Sequence, residues 1–145
     1  MKLADLFEMS MQDLRTAEDL IERMFKDLEL DVIWTTHFKE RIVGREENVS
    51  LPELVDAFRR MKQKYGPALQ ASKDNHERFE AVLKDLAHDL NIPFAIDFSH
   101  KDPRSRKYNL RGITIMRKDP SRFHINAAGG KELTIEGVKR VGRHK

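Results

Sequence analysis

The chain of 145 residues contains no cysteine. That excludes disulfides, thiolate catalysis and cysteine-based zinc sites, and it fits a reducing compartment. Long apolar runs are missing too. None approaches the roughly 18 residues of a membrane-spanning helix, so no membrane partner is expected. The opening Met1-Lys2-Leu3-Ala4-Asp5-Leu6-Phe7 has acids close behind it and no apolar segment, which reads against a secretory signal. Aromatic residues make up 8% of the chain, with one Trp and two Tyr, so platforms for stacking bases are scarce. Tyr108, Phe94 and Phe98 are the nearest candidates, and each has a place in a core. Several chemistry-bearing motifs are also absent: His-Glu-x-x-His, an EF-hand loop, an Asp-rich cluster, a glycine-rich phosphate loop and a serine-nucleophile context. His76 and His88 fall on one expected helix twelve residues apart, too far for one ion. No metal and no cofactor is expected.

What the sequence has is a charge split. From residue 98 onward there are 13 Lys/Arg and 4 Asp/Glu, a net of +9, whereas residues 1–97 carry 14 and 20, a net of −6. Such asymmetry suggests a polyanion-facing surface near the C-terminus, with RNA as the leading partner. The alternative is a basic face whose partner is the chain's own acidic half. Four of the 13 cations (Lys139, Arg140, Arg143 and Lys145) lie in the segment 137–145, expected to be a basic tail, and the other nine lie on or between expected strands.

Hydrophobic spacing divides the chain into helices first and strands later. Leu3, Leu6, Phe7, Leu14, Leu20, Ile21, Met24, Phe25 and Leu28 form one stripe over a leading helical segment, 2–28, with Ser10 as a break. Val32-Ile33-Trp34 is a short strand or a buried connection. Thr36 is the expected cap of a helix over 37–44, which Gly44 would end. Ser50-Leu51-Pro52-Glu53 has capping-box spacing, opening a helix to about Tyr65 that Gly66-Pro67 would stop. A further helix is expected over 74–90, with Phe79, Val82, Leu83, Leu86 and Leu90 on one side. From Asn91 the period becomes two. Ile92, Phe94, Ile96 and Phe98 make a strand, whose Pro93 belongs at a sheet edge or among the strand's first residues. Lys107–Lys118 is a second strand whose inward phase shifts across Gly112, a β-bulge signature. Phe123 and Ile125, then Leu133 and Ile135, give two short strands joined by a turn at Ala127-Ala128-Gly129-Gly130. The expected architecture is α+β: one domain over 1–136, with N-terminal helices packed on a small, mainly antiparallel C-terminal sheet.

Two constellations could carry chemistry. On a helix, His37, Arg41 and Arg45 share a face with Glu40 at its border. An imidazole, a carboxylate and guanidiniums are what phosphodiester cleavage uses, for proton transfer and for the charge building on phosphorus. An ordinary amphipathic helix with Glu40 paired to a neighbouring cation is the plainer alternative. The second constellation lies on and around the strands: Arg111, Thr114, Arg117, Lys118, Arg122 and His124. These residues could position RNA phosphates, or could line a solvated sheet face.

His37-Phe38-x-Glu40-Arg41, followed by a capped helix and the basic strands from Ile92 to Ile125, resembles the phage-encoded members of the barnase, EndoU, colicin and RelE-like ribonuclease group. That resemblance implies metal-free RNA cleavage by helices packed on an antiparallel sheet. His37 would be base or acid, Arg41 and Arg45 the phosphate cations, and Thr114, Arg117 and His124 sheet-borne partners. The expected helix 74–90 departs from the pattern by separating the two constellations. Met1-Lys2-Leu3-Ala4-Asp5-Leu6-Phe7-Glu8 also resembles the capsid-targeting leaders of T-even phage internal proteins, which implies packaging in a phage head, contact with phage structural proteins, or delivery into the host cytoplasm. Three functions stay open on the sequence: a small endoribonuclease, a non-catalytic nucleic-acid-binding or virion-associated module, and an interaction protein that presents its leading helix to a partner.

Overall fold

The computed structural model describes residues 10–43, 49–98, 108–117 and 131–135. The first eight residues of the leading segment, Gly44 and Arg45, the expected strand at Phe123–Ile125 with its following turn, and the basic tail lie outside the described residues.

Ser10 is the break that the stripe suggested. Its hydroxyl accepts from the Asp13 amide at 3.1 Å while the Asp13 carboxylate takes the Ser10 amide, a reciprocal cap that opens α1, Met11–Met24. A 3-10 turn at Lys26–Leu28 leads through Glu29, at φ 57°, into strand β1, Leu30–Trp34. Helix α2, Thr36–Val43, follows at once. Its cap is Thr35 rather than the expected Thr36. The Thr35 hydroxyl accepts from the Phe38 amide at 3.1 Å and donates to the Ile113 carbonyl at 2.6 Å, so one side chain both starts the helix and fastens it to the sheet.

Helix α3, Leu51–Asp74, begins with the Ser50–Glu53 capping box, as its spacing indicates. It does not end at Gly66-Pro67. Proline removes one helical hydrogen bond, but Leu69 and Ser72 are buried beyond it, and Lys73 reaches the Asp27 carbonyl and the Glu29 carboxylate at 3.2 Å. Packing of the last two turns outweighs the local penalty.

The largest departure lies at residues 74–90. The chain turns at His76, at φ 54°, and runs as strand β2, Arg78–Asp85, antiparallel to β3, Leu90–Asp97. Residues Ala81–Asp85 are all buried. A strand covered on both faces has no polar–apolar alternation to display, so its apolar spacing imitates a helix.

The sheet is completed by β4 (Tyr108–Gly112), β5 (Met116–Arg117) and β6 (Lys131–Ile135). Its order is β1-β4-β3-β2-β6, with β5 beside β3. β3 is antiparallel to β2, β4 and β5, whereas β1–β4 and β2–β6 are parallel. The fold is therefore α+β: among the described residues, three helices pack on a mixed and mostly antiparallel sheet. The first helices do not simply precede the strands, because β1 comes from residues 30–34 and joins strands from the C-terminal half.

The bulge across Gly112 is present. Between the pairs Phe94↔Gly112 and Asn91↔Met116, three steps on β3 face four on the other strand. Ile113 and Thr114 both donate to the Pro93 carbonyl, at 2.9 and 3.5 Å. This corrects the placement of Pro93, which sits in a central strand. A residue's nitrogen and carbonyl oxygen point to the same side of a strand, so the missing N–H of Pro93 faces the bulge, where the ladder is already interrupted.

Trp34 stacks on Phe38 with ring centroids 4.6 Å apart, and Phe58 bridges Trp34 to Phe94 at 6.3 and 6.1 Å. Gly112 is the floor of this stack. A Cβ there would lie 2.7 Å from Trp34 Cε3 and 3.2 Å from Phe38 Cδ2. Gly112→Ala should therefore cost about 1–3 kcal/mol through forced shifts of packed rings. Urea unfolding measures this, and a variant of wild-type stability would show that the rings yield freely.

The outermost of the described strands each meet a helix side chain at one residue. The Val32 amide of β1 donates to the Glu22 carboxylate of α1 at 2.9 Å. On β6, the Tyr65 hydroxyl of α3 accepts from the Thr134 amide and donates to its carbonyl, both at 2.9 Å.

Candidate functional site

The expected site residues divide between places. His37 and Glu40 are exposed on α2 and make no hydrogen bond or ion pair among the described residues. Arg41 is half-buried on the same helix. Arg111 is exposed on β4, with Ile33 of β1 and Ala95 of β3 as cross-strand neighbours. Asp31 and Asp97 share the outer face with it, so that face is mixed in charge where it is described. Thr114 lies in the bulge with its hydroxyl buried. Arg45, Lys118, Arg122 and His124 lie outside the described residues.

Arg117 is where the structure converges, and its partners are unexpected. One guanidinium nitrogen donates to the His88 carbonyl at 2.7 Å and another to Glu53 Oε1 at 2.8 Å. His88 belongs to the four-residue turn between β2 and β3, and Glu53 to the first turn of α3.

Asp85, the last residue of β2, is fully buried. Its Oδ2 lies 2.8 Å from Arg60 Nη2 and 2.8 Å from His88 Nδ1, and its Oδ1 accepts from the Ala87 amide at 3.0 Å. Three donors, one of them an arginine, match a carboxylate, which only accepts. The ring proton of His88 is therefore assigned to Nδ1. Arg60 Nη2 also lies 3.2 Å from Nδ1. Both atoms are donors in this arrangement, so that approach reflects their sharing of one oxygen. Nε2 makes no hydrogen bond among the described residues and is not sealed from solvent.

His88 is one of the residues lining an open groove of about 780 Å³ between α1, the start of α3 and the β2–β3 turn. Leu20, Leu51, Pro52 and Val55 form its apolar side, while Asp56, Arg59, Arg60 and His88 form the polar one. Asp56 binds Arg60 Nε at 2.8 Å and pairs with Arg59. Burial works to raise the Asp56 carboxyl, but the two guanidiniums outweigh it and hold the group below its ordinary value. Arg60 Nη1 is buried and meets no acceptor among the described residues, a donor still to be satisfied.

The local sequence explains the geometry. A four-residue loop brings Asp85 and His88, three apart, onto one side of a hairpin, and the positive φ of Asp89 (53°) returns the chain to β3. Asp85-Leu86-Ala87-His88 was a readable signal only if residues 78–85 were taken as a strand. Among the described residues, no three His, Asp or Glu side chains converge as metal ligands, and no helix is long and apolar enough to cross a membrane.

Comparison with known proteins gives no family: no family model and no curated protein matches the sequence, and no solved structure matches the fold.

Proposed function

We propose that the chain is a nucleic-acid-directed protein of the metal-free ribonuclease type, with the Asp85–His88 pair as its acid–base centre. One observation carries this reading: a buried carboxylate fixes Nδ1 of an imidazole whose Nε2 is unbonded among the described residues, and His88 lines a groove with two arginines. Such a pair orients a ring for proton transfer and stabilises the imidazolium formed. In RNA cleavage the ring would take the 2′-hydroxyl proton as the 2′-oxygen bonds to phosphorus, the P–O5′ bond would break with the 5′-oxygen taking a proton from solvent or the imidazolium, and Arg59 and Arg60 would answer the charge on phosphorus. The basic last third of the sequence would supply affinity for the polyanion. On this reading His37 and Glu40 are exposed on α2, beside the half-buried Arg41, and take no part in the centre. The resemblance to phage-encoded ribonucleases belongs to the same proposal, with action in a host cytoplasm or carriage in a virion.

The test is cleavage of labelled single-stranded RNA by the purified chain with and without a chelator. Products ending in 2′,3′-cyclic phosphate, unaffected by chelator, are expected. Intact RNA at micromolar protein would sink the reading.

The pairing of Arg59 and Arg60 with Asp56, and of Arg117 with Glu53, favours a second reading. Guanidiniums already neutralised give a weaker anion site, as in a binding module whose affinity comes from cations elsewhere. That protein would bind RNA with steep salt dependence and leave it uncut.

A further inference from the structure

We propose that Arg117 is the positioning residue of the His88 centre, holding the imidazole on Asp85 through a clamp between the β2–β3 turn and the first turn of α3. The inference rests on the reading of His88 as an acid–base group.

Arg117 binds two elements at once. Its Nη1 donates to the His88 carbonyl at 2.7 Å and its Nη2 to Glu53 Oε1 at 2.8 Å. Glu53 is itself fixed, because the same oxygen accepts from the Ser50 amide at 3.0 Å and the Ser50 hydroxyl at 3.1 Å. The backbone of Arg117 is registered against Leu90, the first residue of β3 after the turn. The arginine therefore pins the turn from its outgoing side to the capped first turn of a helix. Among the described residues, the turn's other backbone ties are the Ala87 amide on Asp85 and the Leu86 amide on the Ile135 carbonyl at 3.0 Å. Neither holds the His88 peptide itself. Without the arginine that carbonyl loses its side-chain donor, and the turn that carries the ring is held less firmly beside Asp85.

The geometry requires a fork. Two acceptors on different elements are met by one planar guanidinium, and the single ammonium of lysine cannot hold both in the same way. Arg117 touches the backbone of His88, so its effect on chemistry is indirect, through the imidazole's place and tautomer.

The test uses the full-length chain as wild type, Arg117→Ala, Arg117→Lys and Glu53→Gln. Nitrogen-15 NMR reads the ring tautomer of His88, and RNA cleavage is followed in parallel. In wild type the neutral ring should carry its proton on Nδ1. Arg117→Ala should relax it to a tautomer mixture and lower kcat by about 10- to 100-fold with KM little changed, the scale of a misplaced catalytic group. Arg117→Lys should not rescue either readout. Glu53→Gln should shift the tautomer in the same direction, and it keeps the proposal testable if Arg117→Ala fails to fold. Unchanged His88 signals in the folded variants would overturn the clamp. So would a raised KM that lysine restores, since that marks a substrate cation. Should wild type leave RNA intact, the acid–base reading fails, and the NMR comparison still decides the clamp.

Discussion

Asp85→Asn is expected to cost about 3–5 kcal/mol of folding free energy, the scale for removing one partner of a buried ion pair. Asp85 is fully buried, and Arg60 retains 16% side-chain exposure. The carboxylate receives Arg60, His88 and the Ala87 amide. An asparagine can turn only one acceptor oxygen toward three donors, and its own amide would face one of them. Arg60 keeps Asp56 as a partner, so the loss belongs near the lower end of the range. Urea unfolding should show a lower midpoint with an unchanged slope, because the surface exposed on unfolding is the same. A loss below about 1 kcal/mol would mean that the native state does not hold the Arg60–Asp85 contact. A double-mutant cycle on Arg60→Ala and Asp85→Ala isolates the pair from its neighbours.

His88→Gln is the largest expected effect on activity. A positioned general acid or base contributes about 10²–10⁴-fold, so RNA cleavage should fall by that range with KM little altered. The ring is 24% exposed, and its loss leaves the apolar core untouched. A folded but inactive protein is the expected product, checked by its thermal midpoint beside its turnover. His37→Gln is the matched comparison, since His37 is exposed on α2 and unbonded among the described residues. If His37→Gln abolishes cleavage while His88→Gln leaves it intact, the centre belongs on α2, where the resemblance put it.

Features whose cause lies within a few residues were legible. Ser50 opens a helix because its hydroxyl meets an amide three residues on, a spacing visible in the letters, whereas Ser10 is legible as a break and its cap to Asp13 comes from the structure. The bulge at Gly112 showed as a change of apolar phase within one strand. Other features depended on distant partners. Residues 78–85 form a strand because β3 flanks them throughout and β6 flanks 81–85, where burial on both faces erases the period that would announce it. Helix α3 crosses Pro67 because Leu69 and Ser72 have a core to enter. Thr35 was preferred over Thr36 as a cap because the Ile113 carbonyl, 78 positions away, waits for its hydroxyl. The Asp85–His88 pair was hidden by the same error as β2. On a helix the two side chains are merely neighbours on a face, whereas at the end of a hairpin a buried carboxylate supports a ring that looks outward. Arg117 was singled out for its charge, and its bonds to the His88 carbonyl and Glu53 depend on strand pairing that no local pattern encodes.

The Glu22 and Tyr65 contacts at the outermost strands bear on how this molecule meets copies of itself. A sheet margin with open amides is a template on which another chain can crystallise as a further strand, and repeated addition gives open-ended fibres. Here the middle amide of β1 is occupied by a carboxylate, and both backbone groups of Thr134 are occupied by one phenol. At the margins of the described sheet, polymerisation through these positions would have to displace a helix side chain, so Glu22 and Tyr65 give the fold a resistance to amyloid-like growth.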